Sequence, residues 1–306
     1  MKNTKNKTSK GKQIFRIILF AGTFISLWFV PWILVKAWIL PLPNTIQAQV
    51  DQTLSYGFDG VIVYVDEAGK PPAFYSAGYH NRELKIPANP KALFKIASIS
   101  KLYVAVAITK LANDNHLSLD KTVADYFPEL VGRIENADKI TLRMMVQHRS
   151  GIPNFTDNPD FWKNQPNTNI DVLQYALDLS ADFEPNKDYG YSNTNYLLLS
   201  RIIEQVTGGS LQDYFKKEIL IPLGLNNTFG SLDEVKNPDD IMSGYYVGIE
   251  DDFKTEDQGM IATAEDVGKF LRALNDGSLL NENEMKLYSS IYEFNHGGLV
   301  PGYQSM

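Results

Sequence analysis

The stretch from about Ser98 to Leu111 contains no Gly or Pro and is apolar at Ile99, Leu102, Val104, Ala105, Val106, Ala107, Ile108 and Leu111. That composition predicts a helix buried on nearly all sides. Ser98 and Lys101 stand three apart near its start, so their side chains share one face and can reach each other. Burying an unpaired ammonium is expensive, and the cost falls if the amine gives up its proton. A neutral amine beside a serine hydroxyl is a general base beside a nucleophile. The buried setting expected for Ser98 matters, because the same spacing at Ser9-Lys10-Gly11-Lys12 lies in a basic tail and carries no such meaning.

A chain of 306 residues can bury a sizeable core as one large domain or two lobes. It has no cysteine, which excludes disulfides, thiolate nucleophiles and Cys-ligated zinc. His80, His116, His148 and His296 are scattered without metal-ligand spacing, so neither a metal site nor a cofactor is expected. Residues 1–36 hold seven basic and no acidic side chains; with a whole-chain charge of −7, the remainder carries −14. An acidic body argues against a nucleic-acid partner.

Residues 1–13 read as a basic cytoplasmic tail, polar and without a core of their own. Ile17 to Val35 then runs without a charge, long enough to match the ~30 Å hydrocarbon layer. The expectation is a transmembrane signal-anchor over residues 14–40, with a lipid bilayer as partner through residues 17–35. A signal peptide cleaved near Val35-Lys36-Ala37, releasing a secreted body, is the rival. The anchor is favoured because the apolar run is long for a signal core and bulky Trp38, Ile39 and Leu40 follow it. Basic residues before the run keep the leader inside and the body outside the cytoplasmic membrane, a single-pass arrangement. Residues 41–57 read as a linker or short helix.

Gly60–Val65, a β-branched run, and Ala73–Tyr79, separated by a break at Glu67-Ala68-Gly69-Lys70, read as a hairpin. From Leu93 to about Leu274 the pattern is predominantly helical. Strands first and helices in the middle predict an α/β (α+β) body: an antiparallel sheet flanked by helices, plus an all-helical lobe. Tyr191-Ser192-Asn193 lies in a polar loop directly before the apolar stretch Asn195–Val206. A loop phenol near a lysine can shuttle a serine's proton, and an asparagine amide can hold a substrate carbonyl. An asparagine-rich turn that merely caps the next helix is the alternative. His296-Gly297-Gly298 offers a hydrogen bond or charge beside glycines that admit a substrate backbone; a surface turn is its alternative.

The order Ser-x-x-Lys, Tyr-Ser-Asn, His-x-Gly resembles the penicillin-recognising serine hydrolases: class C β-lactamases, D-alanyl-D-alanine carboxypeptidases of that type, and related esterases. Supporting segments are Phe94–Lys101, Val146-Gln-His-Arg-Ser-Gly-Ile-Pro153, Pro222–Leu225, Gly259–Asp266 and His296–Tyr303. The tyrosine in the second motif resembles class C rather than class A. The resemblance implies Ser98 as acylated nucleophile, with Lys101 and Tyr191 sharing its proton. It implies substrate binding by Asn193, His296, Gly298 and Leu299, with the backbone N–H groups of Ser98 and Leu299 as an oxyanion hole. The implied substrate is a small molecule or peptide: a D-Ala peptide, an ester or a β-lactam. The domain would occupy residues 58–306 and, since the family continues with two more strands and a helix, is expected to be C-terminally truncated. A non-catalytic envelope protein that binds or senses through the same fold stays open.

Overall fold

The computed structural model describes residues 10–163, 171–246, 249–252 and 259–291. The N-terminal segment forms α1 (Lys10–Trp28) and α2 (Trp32–Ile39). No residue of α1 is buried. The single helix expected over residues 17–35 does not form, and among the described residues no helix is long and apolar enough to cross a membrane. Pro31 separates the two helices. Its ring removes a backbone donor and biases Val30 away from the α region, which accounts for the break between Trp28 and Trp32.

Residues 41–57 contain α3 (Ile46–Thr53), begun by the Thr45 hydroxyl, which accepts the Ala48 N–H. Val50 is buried, and Gln47 Nε2 donates to the Ser76 carbonyl at 3.1 Å, so α3 packs on the first sheet. That sheet is β1 (Gly60–Val65), β2 (Ala73–Asn81) and β3 (Ile86–Pro87), antiparallel in the order β1-β2-β3. The register pairs Gly60 with Gly78 and Val65 with Ala73.

A second antiparallel sheet holds β4 (Leu93–Lys95), β5 (Thr228–Phe229) and the later β8 (Ile261–Thr263), in the order β4-β8-β5; β6 (Tyr245–Tyr246) and β7 (Ile249–Asp252) form a separate pair. The helices that carry the core are α4 (Ser100–Asn113), α5 (Leu142–Val146), α6 (Asn193–Thr207), α7 (Ala264–Asp276) and α8 (Glu282–Ser290). In α4 every residue from Leu102 to Thr109 is buried, which accounts for its lack of a polar face. Tyr103 stacks on Phe270 of α7 with ring centroids 3.8 Å apart, and Lys110 pairs with Glu284 of α8 at 3.6 Å. Antiparallel sheets with helices around them, and a helical lobe centred on α4, match the expected architecture.

Candidate active site

The site forms where β4 gives way to α4. Ile96 extends the strand by donating its N–H to the Met260 carbonyl at 3.0 Å. Ala97 then takes φ +44°, a left-handed conformation unusual for a residue with a Cβ. This turn lifts Ser98 to the surface on a 3-10 turn (Ala97–Ile99) ahead of α4. Ser98 is exposed and Lys101 half-buried, so the sealed setting expected for both begins only at Leu102. The helix is buried along its length, but its first turn opens to solvent.

The second contribution comes from the start of α6. Tyr191, in the loop before it, meets Ser98 oxygen to oxygen at 2.7 Å, and Lys101 Nζ donates to Ser98 Oγ at 3.3 Å. Lys101 Nζ also sits over two aromatic faces, 5.1 Å from the Tyr191 ring centre and 5.7 Å from that of Tyr196. The amine therefore rests against phenol faces, an arrangement suited to a cation, rather than in an apolar pocket. The Tyr191 hydroxyl lies 3.4 Å from Asn193 Oδ1. The structure thus brings Ser98, Lys101, Tyr191 and Asn193 together across more than ninety residues of sequence. His296, Gly298 and Leu299 lie outside the described residues.

Tyr191 is held from beneath by a residue whose role the sequence did not reveal. His148 is fully buried, and its ring lies 4.6 Å from that of Tyr191 and 5.1 Å from that of Tyr196. Its Nδ1 accepts the Ser192 N–H at 3.1 Å. Burial, and secondarily the charge of Lys101, lower its pKa to about 4. The imidazole is consequently neutral near pH 7, with Nδ1 free to accept. Its position inside Val146–Pro153 was a signal, yet nothing in that segment says which phenol it supports.

The loops around His148 and Tyr191 are bound into one block. Gly190 N–H donates to the His148 carbonyl at 2.9 Å, Asp182 N–H to that of Gly151 at 2.9 Å, and Asn186 N–H to that of Arg149 at 2.8 Å. Gly151, at φ +76°, approaches so closely that a Cβ would stand 2.0 Å from the Phe183 carbonyl oxygen. A Cβ on Gly190 would meet the Phe183 ring at 2.6 Å. Deeper still, Ser150 donates to Asn195 Oδ1 at 2.7 Å and the Tyr196 hydroxyl to the Val146 carbonyl at 3.0 Å. A cavity of about 380 Å³ near Phe215 and Met260 and another of about 450 Å³ near Arg133 and Asp178 contain none of the Ser98 group.

The family description Beta-lactamase matches residues 42–293. The chain belongs to the β-lactamase family. Among solved structures of this kind, the fold is similar to a D-amino acid amidase from Ochrobactrum anthropi SV3 complexed with L-phenylalanine amide. The TM-score is 0.69 at 28% identity, over 79% of this chain and 72% of that one. It is also similar to a class C β-lactamase from Rhodobacter sphaeroides, with a TM-score of 0.61 at 25% identity over 79% and 69% of the two chains. A penicillin-binding protein of Bacillus subtilis (strain 168) is 33% identical over 175 residues, 56% of this chain and 38% of the relative. The chain therefore spans about two fifths of the length of that relative.

Proposed function

We propose that the protein is a serine hydrolase that cleaves amide or ester bonds of small substrates, amino-acid amides and D-Ala-terminated peptides foremost, through an acyl-enzyme on Ser98. The observation that carries this reading is the 2.7 Å contact between Ser98 Oγ and the Tyr191 hydroxyl, with Lys101 Nζ 3.3 Å from the same serine oxygen. Ser98 Oγ bonds to the acyl carbon as the carbonyl electron pair moves onto its oxygen, and the serine proton passes to the Tyr191 oxygen, which has first given its own proton to solvent. The Lys101 cation over the Tyr191 ring stabilises the negative charge shared by these oxygens in the transition state. The proton then moves to the leaving amine or alcohol as its bond to carbon breaks. A water molecule, deprotonated by the same pair, attacks the serine ester and releases the acid. Similarity to a D-amino acid amidase supports amides within this class.

The proposal includes a place at the cell membrane with the body on the outer side. Lys10, Lys12 and Arg16 precede an apolar surface on which Trp28, Phe29 and Trp38 are 88%, 78% and 90% exposed. Large aromatics in such numbers favour a lipid interface over water. Membrane fractionation, followed by protease added to intact cells, tests this half of the reading.

Labelling with a fluorophosphonate and with a fluorescent penicillin, mapped by mass spectrometry, tests the chemistry. The expected adduct is on Ser98 and is lost in Ser98→Ala. An adduct that persists in Ser98→Ala refutes the assignment, and no adduct with either probe favours a non-catalytic binding module.

A further inference from the structure

Three unfavourable features meet on His148. It follows the C-cap of α5 in the left-handed region, at φ +56°, a helix-end conformation that glycine and asparagine adopt more readily. Its side chain is fully buried. Its Nε2 has no hydrogen-bond partner among the described residues. The tautomer follows from the backbone: the Ser192 N–H only donates, so Nδ1 is bare and Nε2 of the neutral ring carries the hydrogen. A buried, unbonded N–H is costly, and so is a left-handed turn on a residue with a Cβ. Such residues persist where the geometry they impose is used.

The geometry imposed by His148 converges on Tyr191. The Ser192 N–H belongs to the peptide unit directly after Tyr191, and it donates to Nδ1 at 3.1 Å. The Gly190 N–H, one residue before Tyr191, donates to the His148 carbonyl at 2.9 Å. His148 therefore brackets Tyr191, with its backbone oxygen on one side and its ring nitrogen on the other. The ring also packs on phenols, 4.6 Å from Tyr191, 5.1 Å from Tyr196 and 6.0 Å from Tyr189. Any flat side chain of similar size supplies that packing. Only an acceptor at the Nδ1 position supplies the second half of the bracket, and a hydrogen bond fixes direction where packing does not.

We propose that His148 is a positioning residue for acyl transfer and acts through its bare Nδ1. The acceptor, rather than the ring, holds the Tyr191 hydroxyl 2.7 Å from Ser98 Oγ. This role presupposes the acyl-serine chemistry above and adds to it a residue that touches no reacting atom. Misplacing a catalytic group by about 1 Å lowers a rate on the order of 10²-fold.

The test follows labelling of Ser98 over a concentration series of a fluorophosphonate in the full chain, in the wild type, His148→Asn and His148→Phe, beside thermal melts. Asparagine tolerates the left-handed turn, and its Oδ1 stands as many bonds from the backbone as Nδ1. It is expected to label within about tenfold of the wild type. Phenylalanine keeps a ring and removes the acceptor, so its limiting rate should fall about 10²-fold while the half-saturating concentration holds. Nitrogen NMR of the wild type near neutral pH should show Nδ1 of His148 without a hydrogen. With Ser98 labelled in the wild type, any of three results overturns this inference and leaves the hydrolase reading standing: a folded His148→Phe at the wild-type rate, a folded His148→Asn as slow as His148→Phe, or a hydrogen on Nδ1. Where a variant shows no melting transition, the NMR tautomer decides. Ser98 unlabelled in the wild type overturns both readings.

Discussion

The helical lobe around α4 and the β1–β2 hairpin are built in opposite ways. In α4 the residues Leu102–Thr109 are buried without interruption. In β1 none of the six residues is fully buried, although all six are paired with β2. The helical lobe makes its own interior, while the hairpin depends on a backbone ladder and on whatever docks against one face. Its attachment to the body is a close approach: Tyr64 of β1 lies over Gly268 of α7, where a Cβ would stand 2.5 Å from a ring carbon. Arg272 of α7 adds an ion pair to Asp66 at 2.6 Å. Among the described residues, Ser98, Lys101, Tyr191 and Asn193 lie outside the hairpin, so changes at these positions and changes in the hairpin should separate activity from stability.

The largest separation is expected at Ser98. Ser98→Ala should lower turnover by at least about 10³-fold, and Tyr191→Phe by about 10²–10⁴-fold, each leaving the melting temperature nearly unchanged. Both are read by steady-state kinetics beside thermal melts. Within the core the order reverses: Tyr103→Ala removes an aromatic packed on Phe270 and Phe215. It should cost about 3–5 kcal/mol in denaturant unfolding.

Acid titration sharpens the contrast, because His148 belongs to the helical side. Its pKa in the folded protein, about 4, is below the value of an unfolded histidine. The unfolded chain therefore binds the proton first as pH falls. Stability is expected to drop between about pH 6.5 and 4, by on the order of 3 kcal/mol. His148→Gln should lack that part of the pH dependence; equal slopes in the two proteins would count against a neutral buried imidazole.

In the hairpin, Gly268→Ala should destabilise by about 1–3 kcal/mol through the clash with Tyr64, and Tyr64→Ala should relieve most of it. Failure of that rescue would mean the hairpin is not docked by this contact. Arg272→Ala is the smallest effect, within about 1 kcal/mol, since the arginine is half-exposed.

Much of the helical side was readable from residue pattern. The apolar run of α4 and the polar loop before α6 gave the two halves of the site, and Ser98, Lys101, Tyr191 and Asn193 do converge. What escaped were facts that only three-dimensional closure creates. No local signal says that α4 is sealed from Leu102 onward and open at Ser98, because that depends on the left-handed turn at Ala97. His148 acts on a partner about forty positions away, across loops with no periodicity to read. In the leader, hydropathy outweighed Pro31, whose backbone geometry divides the apolar run whatever its composition.

The way Gly151 and Gly190 fold onto Phe183 has a kinetic corollary. With no side chain between them, these segments leave little slack for Tyr191 to swing away and return. Substrate should meet a phenol already in place, so the acylation rate should be indifferent to solvent viscosity. A bulkier residue at either glycine would convert a preassembled catalyst into one that waits for its own loop.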